Sequence, residues 1–446
     1  MRAPLSIAIA VLLAACQRAE PPAKAVGQVF CRDLDTHYEA TYSGYAALAD
    51  CVRDPKMQSE GHRRVAQVGP GDFDFGDGRR FELTRGFAVQ GAGPDATRVH
   101  ASRPTLKVFQ DDIYSAFFVR GANVRLADFT FDGFCHDGPS PAPGCEAKDE
   151  HTLLAIVVAC GYGMERAPDC DVDGLVVENV RVLGVKTPFL ATSAPAHPER
   201  NQKGLFANFR DLHWTIRRFQ VSGRDAAFRY ARIFELGNGA TADISRGPGV
   251  GVEAPRRYVV DIEDTDIDSH VGMWGGQLAG ILTMAVNDDR IDLRVNLRNS
   301  HWRGAERLVG IANHSAPGDD DDGGDDGRVT FSCIDSALHA DPREFAGRDF
   351  GKAGSTACPP FAAAVYVGEF SRSGGNFTSR ANLVRCPVAI EAGLALCPKP
   401  GSLDLGDDAI SAHVSACLEE SPVEPPARGS GRIVPPPCLE KTDPIR

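Results

Sequence analysis

An all-β solenoid is the fold class this sequence predicts, and two recurring strand patterns plus the turn composition carry the prediction. One decapeptide pattern runs apolar, gap, apolar, gap, a bend residue that is often polar, then two apolar residues flanking one position. Residues 123–133 (NVRLADFTFDG) show it with Val124, Leu126, Asp128, Phe129 and Phe131. It returns with Leu175, Val177, Asn179, Val180 and Val182, with Trp214, Ile216, Arg218, Phe219 and Val221, and with Val260, Ile262, Asp264, Thr265 and Ile267. Looser copies begin at Val295 (VNLRNSHW) and at Arg328, where Val329, Phe331, Cys333 and Ile334 supply the apolar positions. Between the copies lies a second apolar run, starting at Ala116, Leu153, Ala231, Leu278, Arg307 and Ala362. Copies spaced unevenly, roughly 35 to 50 residues apart, fit short strands joined by variable loops, each layer burying its face against the next. The 46 Gly and 30 Pro, with few long helical patterns, agree. Asn or Asp at the bend tolerates the left-handed backbone that a sharp turn uses.

In chain order, MRAPLSIAIAVLLAAC carries one basic residue, Arg2, and an apolar run over residues 5–13. That run is too short to cross a bilayer and suits a secretory h-region. Residues 13–16 (LAAC) resemble the lipobox of bacterial lipoproteins, which implies cleavage before Cys16 and its lipidation. With Gln17 next, the resemblance points to the outer membrane. The expected organisation is a signal peptide (1–15), a polar Pro-containing tether (16–29), an N-terminal cap (30–63), the stacked strands (64–397) and a Pro-rich C-terminal cap and tail (398–446). Within the cap, Tyr42, Tyr45, Leu48 and Ala49 predict one face of a short helix starting near Ser43. From Arg64 the period becomes two, with Val65 and Gln67, Phe73 and Phe75, Phe81 and Leu83, and Phe87 and Val89 as the alternating set.

Residues 91–96 (GAGPDA) satisfy the permissive G-x-G-x-x-G/A dinucleotide fingerprint. That motif must open a helix, and TRVHASRPTLKVF is not helical, nor does an acidic residue stand where a ribose would need it. Gly91 and Gly93 are therefore read as a tight bend between two short strands. A net charge of -12, without a basic patch interleaved with aromatics, opposes binding to nucleic acid.

Twelve cysteines follow Cys16, an even number that argues for disulfides in an exported chain. In order they fall into neighbours: Cys31/Cys51, Cys135/Cys145, Cys160/Cys170, Cys333/Cys358, Cys386/Cys397 and Cys417/Cys438. Connectivity stays open from sequence alone. Metal-ligand spacing such as CxxC is absent, so no metal cofactor is expected. The acidic run at Asp319–Asp322 and Asp325/Asp326 lacks the EF-hand register and reads as a solvated loop tip, or at most one weak surface calcium site.

Residues 63–99 (RRVAQVGPGDFDFGDGRRFELTRGFAVQGAGPDATRV), followed by FFVRGANVRLADFTFDG, resemble the entry turns of right-handed parallel β-helices of the pectate lyase-like superfamily. The clearest match covers Arg64 to about Phe134, and the looser repeat extends it to about Cys397. The resemblance implies a single right-handed parallel β-helix and a polysaccharide partner, with the chain expected as a monomer. Sugar-processing members use residues just past the bend, and the equivalent places here hold His136, Lys186, Arg224 with Asp225, His270, His301 to Arg303, and His339.

A uronate-directed lyase needs a base to take a proton beside a carboxylate and a cation for the enolate. His270 is the candidate base and Arg303 the cation, with Asp268 and His301 completing the catalytic set. Trp274 or Trp302 would be a platform for a sugar ring, and Arg224 and His339 further substrate contacts. Hydrolysis would instead need two opposed carboxylates, for which Asp266 and Asp268 are candidates. The aspartate signatures of polygalacturonase-type hydrolases are absent as a set. Two other classes compete: a non-catalytic surface protein that binds glycan or protein along the same face, and a structural envelope lipoprotein. On those readings Asp264 is a bend residue, Asp266 and Asp268 are solvated strand positions, and the His and Trp residues pack loops.

Overall fold

The computed structural model describes residues 27–74, 81–100, 113–133, 152–158, 170–185, 187–191, 209–223, 233–236, 256–271, 281–286, 291–305, 307–313, 328–340, 363–369, 378–386, 388–390 and 403–405. These residues are mostly β, in a 19-stranded and an 8-stranded sheet with mostly parallel pairing. The expected signal peptide, residues 16–26 of the expected tether, most of the C-terminal segment, the acidic run at 319–326, His136, Lys186, Arg224, Asp225 and Trp274 lie outside them; Gln28 and Val29, expected in the tether, instead open the first strand, whose pairing with the next one draws them into the cap.

The N-terminal cap is antiparallel. Gln28–Asp33 pairs on one side with Tyr38–Ser43 and on the other with Arg64–Val68. The helix predicted near Ser43 begins later, at Ala47–Arg53, because Tyr38 to Ser43 is a strand. Alternation at Tyr38, Ala40 and Tyr42 overrides the helical spacing, and both phenols donate to Asp54 Oδ2, at 2.5 and 2.6 Å. Cys31 and Cys51 are bridged as expected, tying strand to helix.

The period-two phase at Arg64 also differs from expectation. Arg64, Ala66 and Val68 point inward while Val65 is half-buried and Gln67 exposed. An arginine fits inside because its guanidinium is satisfied throughout: it donates to Met57 O and Thr84 Oγ1 at 2.7 Å, to Arg85 O at 2.7 Å and to His62 O at 3.2 Å. It stitches the cap to the next strands, and burial lowers its pKa.

Beyond the cap, the chain alternates between the two sheets. The second apolar run supplies the 8-stranded sheet: Phe81–Leu83, Ile113–Val119, Thr152–Val158, Thr187–Ala191, Phe234–Leu236, Leu282–Val286, Arg307–Asn313 and Ala363–Glu369. Thr187–Ala191 was not foreseen, since TPFLA is short and opens next to a proline. The decapeptide copies supply the large sheet, each pairing in parallel register with the copy before and after it, as in Val177↔Ile216, Ile216↔Ile262, Ile262↔Leu297 and Leu297↔Cys333.

One residue per copy makes the bend. Asp128, Asn179, Arg218, Asp264, Asn299, Asp335 and Arg385 all have φ between 46° and 62°. A single left-handed residue reverses the in/out alternation. Positions two and four before it point inward, and so do positions one and three after it, as for Val260, Ile262, Thr265 and Ile267. At four of these bends the N–H meets a carbonyl of the next copy: Arg218 N donates to Glu263 O at 3.0 Å, Asp264 N to Arg298 O at 3.0 Å, Asn299 N to Ile334 O at 3.2 Å and Asp335 N to Val384 O at 3.0 Å. Left-handed backbone costs an arginine about 1 kcal/mol. Arg218 and Arg385 are each held there by a carboxylate of the preceding copy, Glu178 and Asp335. In the copy at Arg328 the bend falls at Asp335, so Ser336 and Leu338 point inward and Ile334, expected in the core, is half-exposed.

The bend between Phe87–Gln90 and Thr97–His100 is wider, and it contains GAGPDA. No helix follows Gly93, which has φ 130°. Gly91 and Gly93 donate their N–H groups to Ala127 O and Asp128 O at 2.8 Å, and a Cβ on Gly91 would lie 2.0 Å from Asp128 O. The glycines are there because the next copy's bend passes against them.

The core is a column of stacked apolar side chains, aromatic along much of its length. Phe117 packs on Phe81 and Phe129, Trp214 on Phe189 and Phe209, and Phe234 on Trp302. Just past the bend the inward column changes character, from Phe129, Val180 and Phe219 to Thr265, Ser300 and Ser336. These buried hydroxyls satisfy one another. Thr265 Oγ1 donates to Ser300 Oγ at 2.8 Å, Ser300 N donates to Ser336 Oγ at 3.0 Å, and Ser300 and Ser336 return protons to Arg298 O and Ile334 O.

The second described disulfide corrects the neighbour pairing. Cys333 joins Cys386, 53 residues away, which excludes Cys333/Cys358 and Cys386/Cys397. In stacked copies the spatial neighbour lies a whole copy further along the chain, and Cys333 and Cys386 flank equivalent bends at Asp335 and Arg385. Cys170 is also disulfide-bonded.

Asp33 closes the cap hairpin. Its Oδ1 accepts from the N–H groups of Asp35 and Thr36 at 2.9 and 3.0 Å, and its Oδ2 takes the His62 Nδ1 proton at 2.8 Å. Burial pushes this carboxyl up, but the His62 and backbone bonds outweigh it and hold it at about 2. A depressed carboxylate stabilises fully above its unfolded pKa, and that contribution, about 2 kcal/mol, fades as pH falls from about 4 to about 2. Urea midpoints will show Asp33→Asn less stable at pH 7 and flatter than wild type across that acid window; parallel acid curves would contradict the assignment. Gly91→Ala will cost about 2–3 kcal/mol by the same measurement, since a backbone oxygen must move; an unchanged midpoint would contradict the close approach.

Candidate functional site

The face that matters lies just past the bends. Positions two and four after a bend project outward, and parallel register aligns them from copy to copy. One column runs Gln220, Asp266, His301 and Ala337; the other runs Ser222, Asp268, Arg303 and His339. Adjacent strands are about 4.8 Å apart, so Asp266 stands beside His301, and Arg303 beside His339, on one face across three strands, with Asp268 the register partner of Arg303. Asp266 and His301 are exposed and have no partner among the described residues. Arg303 and His339 are half-buried.

The strand register slips here. Asp268 aligns with Arg303, but Val271 aligns with Ala305, so Ser269 and His270 together oppose Gly304. His270 therefore sits in a bulge, a device that bends a strand and re-aims its side chains. A second slip follows between Arg303 and Ala305 against His339 and Ala340.

Trp302 does not serve as a sugar platform. It stands three positions past the bend, where the parity is inward, and it is 1% exposed. Its ring stacks on Phe234 at 5.9 Å and its Nε1 donates to Thr265 Oγ1 at 2.9 Å. The opposed-carboxylate arrangement also fails, because Asp266 and Asp268 are two residues apart in a single strand and do not face each other from separate elements. Asp264 is the bend residue, with φ 53°.

Sequence reasoning missed a cluster at the N-terminal end of the same face. Asp72 aligns with Arg98, and His100 with Asp132. His100 Nε2 is 2.7 Å from Asp72 Oδ1, its Nδ1 is 3.5 Å from Asp132 Oδ2, and Arg98 Nε is 3.8 Å from that oxygen. The period-two residues of GDFD and TRVH carried the signal. Counting from a single bend residue overlooked it, since the first bends are several residues long.

The outer face before the bends is occupied by ion pairs. Glu178, 4% exposed, receives Arg125, Arg217 and Arg218. The Arg217 hydrogen bond is the main cause of its lowered pKa.

The patch past the bends thus offers the exposed His301 imidazole and Asp266 carboxylate beside the half-buried Arg303 guanidinium. That set can abstract a proton and neutralise developing negative charge. It does not present the facing acids of a hydrolase. Comparison of the chain with protein-family models, with curated proteins and with solved structures finds no match.

Proposed function

We propose that this chain is an exported, lipid-anchored protein, wound as a right-handed parallel β-helix, that acts on uronate-containing polysaccharide through the face past its bends. The alternation of the chain between two parallel sheets, with one left-handed bend per copy, supports the winding. Its hand follows from the strong preference of parallel crossovers for the right-handed sense. The LAAC tetrapeptide at residues 13–16 supports the anchor, and disulfides support an oxidising compartment outside the cytoplasm.

A single observation carries the activity: the register that sets Asp266 beside His301 and Asp268 beside Arg303 and His339. A sheet of identically spaced strands gives an extended polymer a track along which successive units meet successive strands. In the reaction, an imidazole of this patch, from His301 or from His270 in the bulge, takes the proton beside the uronate carboxylate. Arg303 neutralises the enolate, and the electron pair then expels the glycosidic oxygen and leaves a carbon–carbon double bond.

The detergent-solubilised full chain, mixed with a panel of acidic polysaccharides, will generate the ultraviolet absorbance of unsaturated product. Arg303→Met and His301→Ala will each lower kcat/KM by about 100-fold or more. Absence of product with every polymer defeats the lyase; retained binding in that case identifies a non-catalytic glycan-binding protein. Cys16→Ser will move the protein from the membrane fraction to the soluble fraction, and unchanged membrane association would refute the anchor.

A further inference from the structure

The outer face before the bends holds a constellation that the proposed lyase does not use. His213 Nε2 lies 2.6 Å from Asp261 Oδ2, and Asp261 Oδ1 accepts from Asn296 Nδ2 at 2.8 Å. An ionised carboxylate can only accept, so Nε2 carries the ring proton and Nδ1 is left with its lone pair. The three residues sit on three consecutive copies, in Leu212–Arg217, Arg256–Glu263 and Ile291–Arg298. Asp261, whose side chain is 17% exposed, is thereby clamped from both sides, while His213 is 60% exposed. The backbone of His213 is held as well, its N–H donating to Asp173 Oδ1 at 2.6 Å.

Gly174, whose N–H donates to His213 O at 3.2 Å, puts no side chain beside the ring on the preceding copy. On the following copy Val259 is the register partner of His213, and exposed Arg257 stands two residues before Val259. The Arg257 guanidinium has no partner among the described residues, only its backbone N–H being used, at 2.8 Å from Asp211 Oδ1. Arg294, the register partner of Val259 one copy further on, is paired with Asp292.

We propose that His213 is a catalytic general base for hydrolysis of acyl esters, with O-acetyl groups on polysaccharide as the substrate class. Water attacks the acyl carbonyl carbon and gives its proton to His213 Nδ1, forming the new C–O bond of a tetrahedral intermediate. Arg257 neutralises the oxyanion. The intermediate then collapses, the bond to the sugar oxygen breaks, and the imidazolium returns the proton to that oxygen, releasing acetate and a free hydroxyl. Asp261 and Asn296 are positioning residues that fix the tautomer and the ring. This site is on a different face from the lyase patch and stands without it.

The test measures acetate release by the detergent-solubilised full chain from acetylated xylan, with p-nitrophenyl acetate as a chromogenic surrogate. Unsaturated product is read separately, so the fates of the two readings are distinguishable. His213→Gln will lower kcat/KM by about 100-fold with an unchanged thermal midpoint, since the side chain is exposed. Asp261→Asn will lower kcat at least about tenfold with KM unchanged, because the wrong tautomer leaves no base. The proposal is overturned if the wild type releases acetate from neither compound, if His213→Gln matches the wild-type rate, or if Asp261→Asn alters KM alone.

Discussion

One left-handed residue per copy is the constraint on which the rest of this structure depends. Because side chains in a strand alternate with a period of two, an αL residue inserted at Asp264 or Asn179 reverses the parity of everything after it. The same polypeptide direction can then present apolar residues inward on both sides of the corner. The backbone accepts this cheaply at Asn and Asp, and at Arg218 and Arg385 through ion pairs with the neighbouring copy. Since the N–H groups of Arg218, Asp264, Asn299 and Asp335 each bond to the next copy, the corner is also a line of hydrogen bonds through that part of the stack.

Polar groups inside the stack follow from that regularity. A hydroxyl just past one bend lies directly over the hydroxyl just past the next, so Thr265, Ser300 and Ser336 form a continuous series in which each is both donor and acceptor. Trp302 adds its indole proton to the same series. Arg64 plays the corresponding part at the cap, where four carbonyl and hydroxyl partners allow a charged group to stand among Phe87 and Met57. Buried polarity here is tolerated because translation from copy to copy supplies the partner.

The two outer faces differ in how far their charges are paired. Before the bends, carboxylates and guanidiniums alternate between copies and largely neutralise one another, as around Glu178. His213 differs there, because its pairing with Asp261 leaves a ring nitrogen turned to solvent. Past the bends, Asp266 and His301 stand exposed and unpaired among the described residues, and the strand bulges beside them.

Local chemistry made the strands, the bend residues at Asp128, Asn179, Arg218 and Asp264, and the turn-forming role of Gly91 and Gly93 legible in the sequence alone, because alternation and left-handed tolerance are properties of a few adjacent residues. Register sets Arg303 beside His339 and beside Asp268, whereas His270, expected at the equivalent place, falls in the slip two residues further on. Contacts between copies were not legible. Cys333 finds Cys386 a full copy away, Asp72 finds His100 on the neighbouring copy past a bend of unusual length, and Trp302 turns inward because Asn299, three residues earlier, resets the alternation. Those outcomes depend on which residue stacks over which, and the varying loop lengths hide that quantity from the linear chain until the stack is formed.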